Sequence, residues 1–251
     1  MQSFEHSGFE LFYLDEGTGP PVLLIHGFAS NARVNWVEPG WVDTLTRSGF
    51  RVIAIDNRGH GESTKSHERS DYDPELMADD AIALLEHLGV PRAHAMGYSM
   101  GSRIVAFAAL NYPTKIASVV FGGLGEAMVK SNGAWETIAS ALLVEDPETI
   151  DDQRARAFRN FADQTKSDRA ALAACISGSR KLLSEAQVRR ITQQALVVVG
   201  ATDDIAGKPE PLAALLPNGE YLAIAGRDHM RTVGDKAYKK RVVEFFKEQA
   251  V

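Results

Sequence analysis

Six short apolar, β-branched runs recur along the chain, and longer segments with a helical pattern separate them. The runs are PPVLLIHG (20–27), FRVIAID (50–56), HAMG (94–97), KIASVVFGG (115–123), ALVVVGATD (195–203) and YLAIAG (221–226). Each is bounded by Gly, Pro or Asp and is apolar on both faces, as strands of a covered parallel sheet are. Between them, 73–89 reads as a helix, with Asp73 as cap, Pro74 at the first position and Gly89 as stop. Leu76, Asp80, Ala83, Leu84 and His87 show the 3–4 spacing of one helix face, although only part of that set is apolar. The segment 99–112 is apolar on most sides and predicts a buried helix, and 235–250 is amphipathic, with Val242, Val243, Phe245 and Phe246 near one face. Strands alternating with helices imply right-handed crossovers, a mostly parallel sheet and helices on both of its faces. The opening SFEHSGFELFYLDEG alternates and turns at Ser7-Gly8, which predicts an antiparallel N-terminal hairpin at one edge.

The rhythm fails between residues 124 and 190. That stretch holds helical pieces, among them TIASALLV, DDQRARAFRNFADQT and DRAALAACISGSRKLL, and no convincing strand. It is too long for a simple crossover. The expected organisation is one α/β core, residues 1–123 and 191–251, with 124–190 inserted as a helical cap. A chain of 251 residues is long enough for such a domain. The formal net charge of −6 argues against a nucleic-acid partner, which would call for a basic face. The single cysteine, Cys175, excludes an intrachain disulfide and reads as a small buried hydrophobe. No signal peptide and no membrane-spanning apolar stretch is visible, so a soluble, cytoplasmic protein is expected. Oligomeric state is not readable.

Gly97-Tyr98-Ser99-Met100-Gly101 lies at a predicted strand-to-helix junction and matches G-x-S-x-G. A strand that turns sharply into a helix puts the serine at the apex in a strained conformation, and bulky side chains two residues to either side would clash. The turn lifts the hydroxyl clear of the sheet and leaves the Met100 amide free at the first turn of a helix, where it can receive a developing oxyanion. A serine hydroxyl needs a base, and the base needs an orienting acid. His6, His67, His87 and His94 read as solvated or packed, and His26 and His60 sit in glycine-containing turns. His229 follows the last strand, at the carboxyl end where reactive loops of a parallel sheet gather, and is the candidate base. The candidate acid is Asp203, after ALVVVG, with Asp204 as its neighbouring alternative and Glu126 as a third.

These strings together resemble the α/β-hydrolase fold family over essentially the whole chain. The order Ser99, Asp203, His229 is the order that fold uses. His26-Gly27-Phe28 resembles the family's HG-x turn, which implies that the Phe28 amide is the second oxyanion donor. Asp56-Asn57-Arg58-Gly59-His60-Gly61-Glu62-Ser63 resembles its D-x-R-G-x-G-x-S turn and reads as scaffold, with Asp56 and Arg58 pinning the loop through hydrogen bonds. Relatives that open epoxides or remove halogens attack with aspartate at the elbow, whereas position 99 is serine. No metal cluster and no phosphate-cradling loop is present, so neither cofactor nor metal is expected.

The resemblance implies a serine hydrolase that cleaves a small or medium carboxylic ester through an acyl-enzyme on Ser99. Alternatives within the fold are hydrolysis of a carbon–carbon bond in a vinylogous diketone and cofactor-free perhydrolysis. A ligand-binding relative with an idle triad is the non-enzymatic alternative. In the cap, Trp135, Ile138, Leu142, Leu143, Phe158 and Phe161 are candidates to line a pocket, although such spacing also serves an ordinary core. Arg154, Arg156 and Arg159 are candidates to meet an acidic substrate group, although charges on a helix usually form its solvated face.

Overall fold

In a computed structural model, which describes residues 1–131, 133 and 135–251, the apolar runs form one eight-stranded sheet in the order β1-β2-β4-β3-β5-β6-β7-β8. The strands are β1 (Gln2–His6), β2 (Phe9–Glu16), β3 (Pro21–Ile25), β4 (Arg51–Ile55), β5 (Ala93–Tyr98), β6 (Ile116–Gly122), β7 (Gln194–Gly200) and β8 (Gly219–Ile224). β1 and β2 form the expected antiparallel hairpin, with Ser7 and Gly8 both at positive φ in its turn. β2 runs antiparallel to β4, and all later pairings are parallel.

The two-residue period of a strand sorts its side chains into two cores. Leu23 and Ile25 of β3, Ile53 and Ile55 of β4, and Val119 and Phe121 of β6 belong to one. Val22 and Leu24, Val52 and Ala54, and Val120 belong to the other. The first is covered by α2 (Pro74–His87) and α3 (Met100–Asn111), the second by α1 (Trp41–Arg47) and the C-terminal helix α10 (Lys236–Lys247). Between β6 and β7 lie α4 (Trp135–Leu143), α5 (Gln153–Gln164), α6 (Arg169–Gly178) and α7 (Glu185–Val188), with no strand among the described residues. α8 (Pro209–Leu215) links β7 to β8, and the single turn α9 (His229–Thr232) follows β8. Among the described residues no helix is long and apolar enough to cross a membrane.

Two sequence expectations need correction. β8 is not apolar on both faces; as an edge strand it leaves Glu220, Tyr221 and Ala223 exposed. The inward face of α2 is also rotated. Met77, Ala78, Ala81, Leu84 and Leu85 are buried, while Leu76 is 40% exposed and His87 stacks on Phe4 at the surface. Asp80 is buried because Arg58 draws it inward through two hydrogen bonds of 2.7 Å.

Candidate active site

Four loops at the carboxyl ends of β3, β5, β7 and β8 converge. Ser99 follows β5 with φ 53° and ψ −113°, a region that costs a non-glycine residue on the order of 1–3 kcal/mol. Its N–H donates to the Gly122 carbonyl at 2.7 Å, which holds the strained turn to β6. A Cβ on Gly97 would lie 2.3 Å from the Gly101 backbone, and one on Gly101 would lie 1.9 Å from the Ile25 carbonyl oxygen. Both elbow positions therefore require glycine for steric reasons.

His229 is the first residue of α9, capped by Asp228, whose carboxylate accepts from the Arg231 amide at 2.8 Å. The imidazole bridges two groups distant in sequence. The Ser99 hydroxyl donates to Nε2 at 3.0 Å, and Nδ1–H donates to Asp203 Oδ2 at 2.7 Å. The other Asp203 oxygen accepts the Ile205 and Ala206 amides, both at 2.9 Å, so the carboxylate is fully oriented and its side chain has no exposure. Asp204 points outward and pairs with Arg154 at 3.0 Å. Glu126 lies against Gly207 and makes no bond to His229 among the described residues.

Phe28 and Met100 flank the serine. Gly27 abuts the Tyr98 carbonyl and Ser99 Cβ, which brings the turn after β3 onto the elbow. Among the described residues the Phe28 and Met100 amides have no backbone acceptor. Met100 opens α3, so its amide carries the partial positive charge of a helix start. Ala29, at φ 59°, completes the turn that presents Phe28.

Two residues support the site: Tyr98, which the sequence did not single out, and His26, which it placed in the HG-x turn. Tyr98, buried within the elbow, donates its hydroxyl to the His229 carbonyl and fixes the loop that carries the imidazole. His26 donates from Nδ1 to the Gly27 carbonyl at 2.7 Å and accepts the Asn57 amide on Nε2 at 3.0 Å. It thereby ties the HG-x turn to the loop after β4. Burial pushes its pKa down to about 4, against the upward pull of the Gly27 carbonyl, so the ring is neutral. The 56–63 loop is pinned as the sequence implied: Asp56 accepts from Ala32 and Glu62 amides, and Arg58 grips Asp80. The signal for Tyr98 was its position inside the elbow; nothing in a single sequence says where its hydroxyl points.

Ser99 and His229 open onto a cleft of about 510 Å³ with apolar walls that include Phe28, Val34, Phe158, Phe161, Met230 and Val233. Of the helical residues expected at a pocket, Phe158 and Phe161 line this cleft. Ile138 and Leu142 are packed in the core and Leu143 is exposed. Of the three arginines, only Arg154 borders the cleft. Arg156 pairs with Glu148, and Arg159 is buried on Asp163 and backbone carbonyls. No cluster of side chains suited to a metal ion occurs among the described residues.

Comparison with known proteins agrees with this architecture. The family model described as alpha/beta hydrolase fold matches residues 20–174. BpoC of Mycobacterium tuberculosis, a candidate non-heme bromoperoxidase, is 32% identical over 244 residues, covering 88% of this chain and 90% of that protein. The bifunctional epoxide hydrolase 2 of Mus musculus is 33% identical over 113 residues, 45% of this chain; the match spans only 20% of that relative's length. The enol-lactonase from Burkholderia xenovorans LB400 has the same fold, with a TM-score of 0.83 at 23% identity over 98% of this chain and 100% of that one.

Proposed function

The chain belongs to the α/β hydrolase fold family, and from that premise we propose that it is a serine hydrolase cleaving a small or medium carboxylic ester. The observation that carries this reading is the bridge made by one imidazole, 3.0 Å from the Ser99 hydroxyl and 2.7 Å from the Asp203 carboxylate. His229 takes the hydroxyl proton as Ser99 Oγ attacks the ester carbonyl carbon. Asp203 holds the tautomer and stabilises the imidazolium. The Phe28 and Met100 amides receive the oxyanion. Collapse of the tetrahedral adduct breaks the bond to the alcohol oxygen, which leaves with the proton from His229. Water then gives its proton to the same nitrogen and attacks the acyl carbon, and collapse of that adduct breaks the bond to Ser99 Oγ, which takes the proton back from His229 as the acid is released. Residues 124–190 act in this proposal as a cap on the core of 1–123 and 191–251, supported by the walls that Phe158 and Phe161 give the cleft.

Similarity to a bifunctional esterase/perhydrolase of Acinetobacter calcoaceticus supports a second reading, perhydrolysis, in which hydrogen peroxide replaces water in the second half-reaction and a peracid leaves. The serine at the elbow sets this chain apart from aspartate-using epoxide hydrolases, so the short match to the mouse enzyme does not carry its substrate over. The test is labelling by a fluorophosphonate followed by nitrophenyl ester hydrolysis. The parent protein is expected to be labelled at Ser99, and Ser99→Ala to fold normally and lose about 10⁴–10⁶ of turnover. Equal rates in the two proteins would refute the assignment.

A further inference from the structure

We infer that the small cavity beside Ser99 is a carboxylate subsite formed by Arg103 and Arg180, so that the ester cleaved at Ser99 carries an acidic group on its acyl side. The inference rests on the serine-hydrolase reading for its substrate, but the anion site stands on separate observations.

Ser99 borders two spaces of opposite character. The apolar cleft lies on the His229 side. The second space, about 30 Å³, is lined by Ser99, Met100, Arg103, Leu124, Trp135 and Arg180, with Lys130 also bordering it. His229 delivers a proton to the leaving alcohol, so the alcohol belongs in the cleft that His229 borders. The acyl portion then faces the second cavity, whose size fits a carboxylate or a pair of waters and little more.

Both guanidinium groups there lack the partner that such groups ordinarily have. Arg103, only 4% exposed, projects from the first turn of α3 and donates to the neutral carbonyls of Met128, Lys181 and Ala127. Arg180 lies 3.8 Å over the Trp135 ring and donates Nε–H to the Ile176 carbonyl. Among the described residues neither has a carboxylate within ion-pair reach. By contrast, buried Arg58 is matched by Asp80, and Arg92 and Arg190, which also lack a carboxylate, are exposed to water. For Arg103 a buried charge without a counter-charge is unfavourable, and the like charge of the partly buried Arg180 beside it adds to that. Burial, and then the Arg103 charge, pushes Arg180 down to about 9, and burial pushes Arg103 down to about 10, so both remain cations at neutral pH. A planar carboxylate matches the guanidinium fork and removes the imbalance.

The test has a part without turnover and a part with it. Ser99→Ala protein is titrated calorimetrically with glutarate and with neutral glutaramide. Glutarate is expected to bind at least tenfold more tightly, and Arg180→Met in the Ser99→Ala background is expected to lose at least tenfold of that preference. Equal binding of the two probes, or indifference to Arg180, overturns the subsite. In the protein with Ser99 intact, kcat/KM for nitrophenyl hemiglutarate is expected to exceed that for nitrophenyl butyrate at least tenfold, with Arg180→Lys retaining part of the ratio and Arg180→Met collapsing it. A ratio below one overturns the acidic-substrate assignment. If no ester is hydrolysed while glutarate binding behaves as expected, the serine-hydrolase reading fails and the anion site stands. Should Arg180→Met not fold, the glutarate preference of Ser99→Ala and the ester ratio decide the matter without it.

Discussion

Gly101→Ala tests whether the elbow is set by backbone contact. Gly101 lies in α3 with ordinary helical geometry, so helix propensity alone would make alanine about 1 kcal/mol more stable. Packing opposes this. The added Cβ would sit 1.9 Å from the Ile25 carbonyl oxygen and 2.7 Å from that of His26, where ordinary contact begins near 3.4 Å. The deficit of about 1.5 Å falls on backbone, since Ile25 is paired to both Ile55 and Gly97 in the centre of the sheet. β3 cannot retreat without breaking those ladders, so α3 must move. Overpacking of well-ordered cores costs about 1–3 kcal/mol and rigid contacts more, so a net loss of about 3 kcal/mol is expected. A shift of about 1 Å in the Met100 amide and Ser99 would also cost about 10² in kcat/KM. The assay is guanidinium unfolding together with nitrophenyl ester kinetics. Gly226→Ala is the control: φ is +67° but no atom lies within 4 Å, so only backbone strain of about 1–2 kcal/mol applies. A Gly101→Ala protein as stable as the parent, with kcat/KM within twofold, would refute the steric account of the elbow.

Three further outcomes follow from particular contacts. Asp203→Asn is expected to lower kcat about 10⁴-fold, because the amide stabilises the wrong tautomer, whereas Asp204→Asn, which loses only an exposed pair, stays within about threefold in the same ester assay. Asp80→Asn strands the buried Arg58 charge and should destabilise by about 3–5 kcal/mol in urea unfolding; a change below 1 kcal/mol would mean that water already screens the pair. Stability should fall as pH drops from 7 to 5. Burial pushes His26 to about 4, His60 to about 3 and His94 to about 4, and the buried Nε2 atoms of His60 and His94 have no acceptor for a new proton. The unfolded chain binds protons at these residues near pH 6.5 and the folded one does not. Their contribution is therefore complete above that pH and is lost on acidification, by at most about 1.4 kcal/mol per unit for each histidine. Equal urea midpoints at pH 7.5 and 5.0 would contradict this.

The sheet was readable because each inner strand repeats a two-residue pattern covered on both faces, and the elbow because its glycines follow from local sterics. Asp203 and Asp204 could not be separated in sequence: both are adjacent acids in one turn, and only the Ile205 and Ala206 amides draw the first inward. The rotated face of α2 was hidden by Asp80, whose burial depends on an arginine 22 residues away in sequence. Arg159 looked like a solvated or substrate-facing charge, yet it ties α5 to the carbonyls at the end of α4. Such bonds depend on how helices dock, which periodicity does not encode. The same holds for Arg103, which lies in the segment read as apolar on most sides and which only the structure sets beside the small cavity.

The strained residues show how the site holds its shape before any ligand arrives. Ser99 and Ala29 are two of the non-glycine residues at positive φ, and they sit in the two turns that carry the candidate oxyanion donors. Each is restrained by partners outside its own turn. Ser99 is bonded to β6, and the turn of Ala29 is held by His26 on one side and by Asn35, which accepts the Gly27 amide at 3.0 Å, on the other. His229 is held by Tyr98 from within the elbow itself, so serine and imidazole share one anchor. Neutral His26 is central to this arrangement because it needs both an N–H and a bare nitrogen; protonation would break its bond from Asn57 and free the Phe28 turn. Acid would then disorder the oxyanion side of the site through the same event that destabilises the fold.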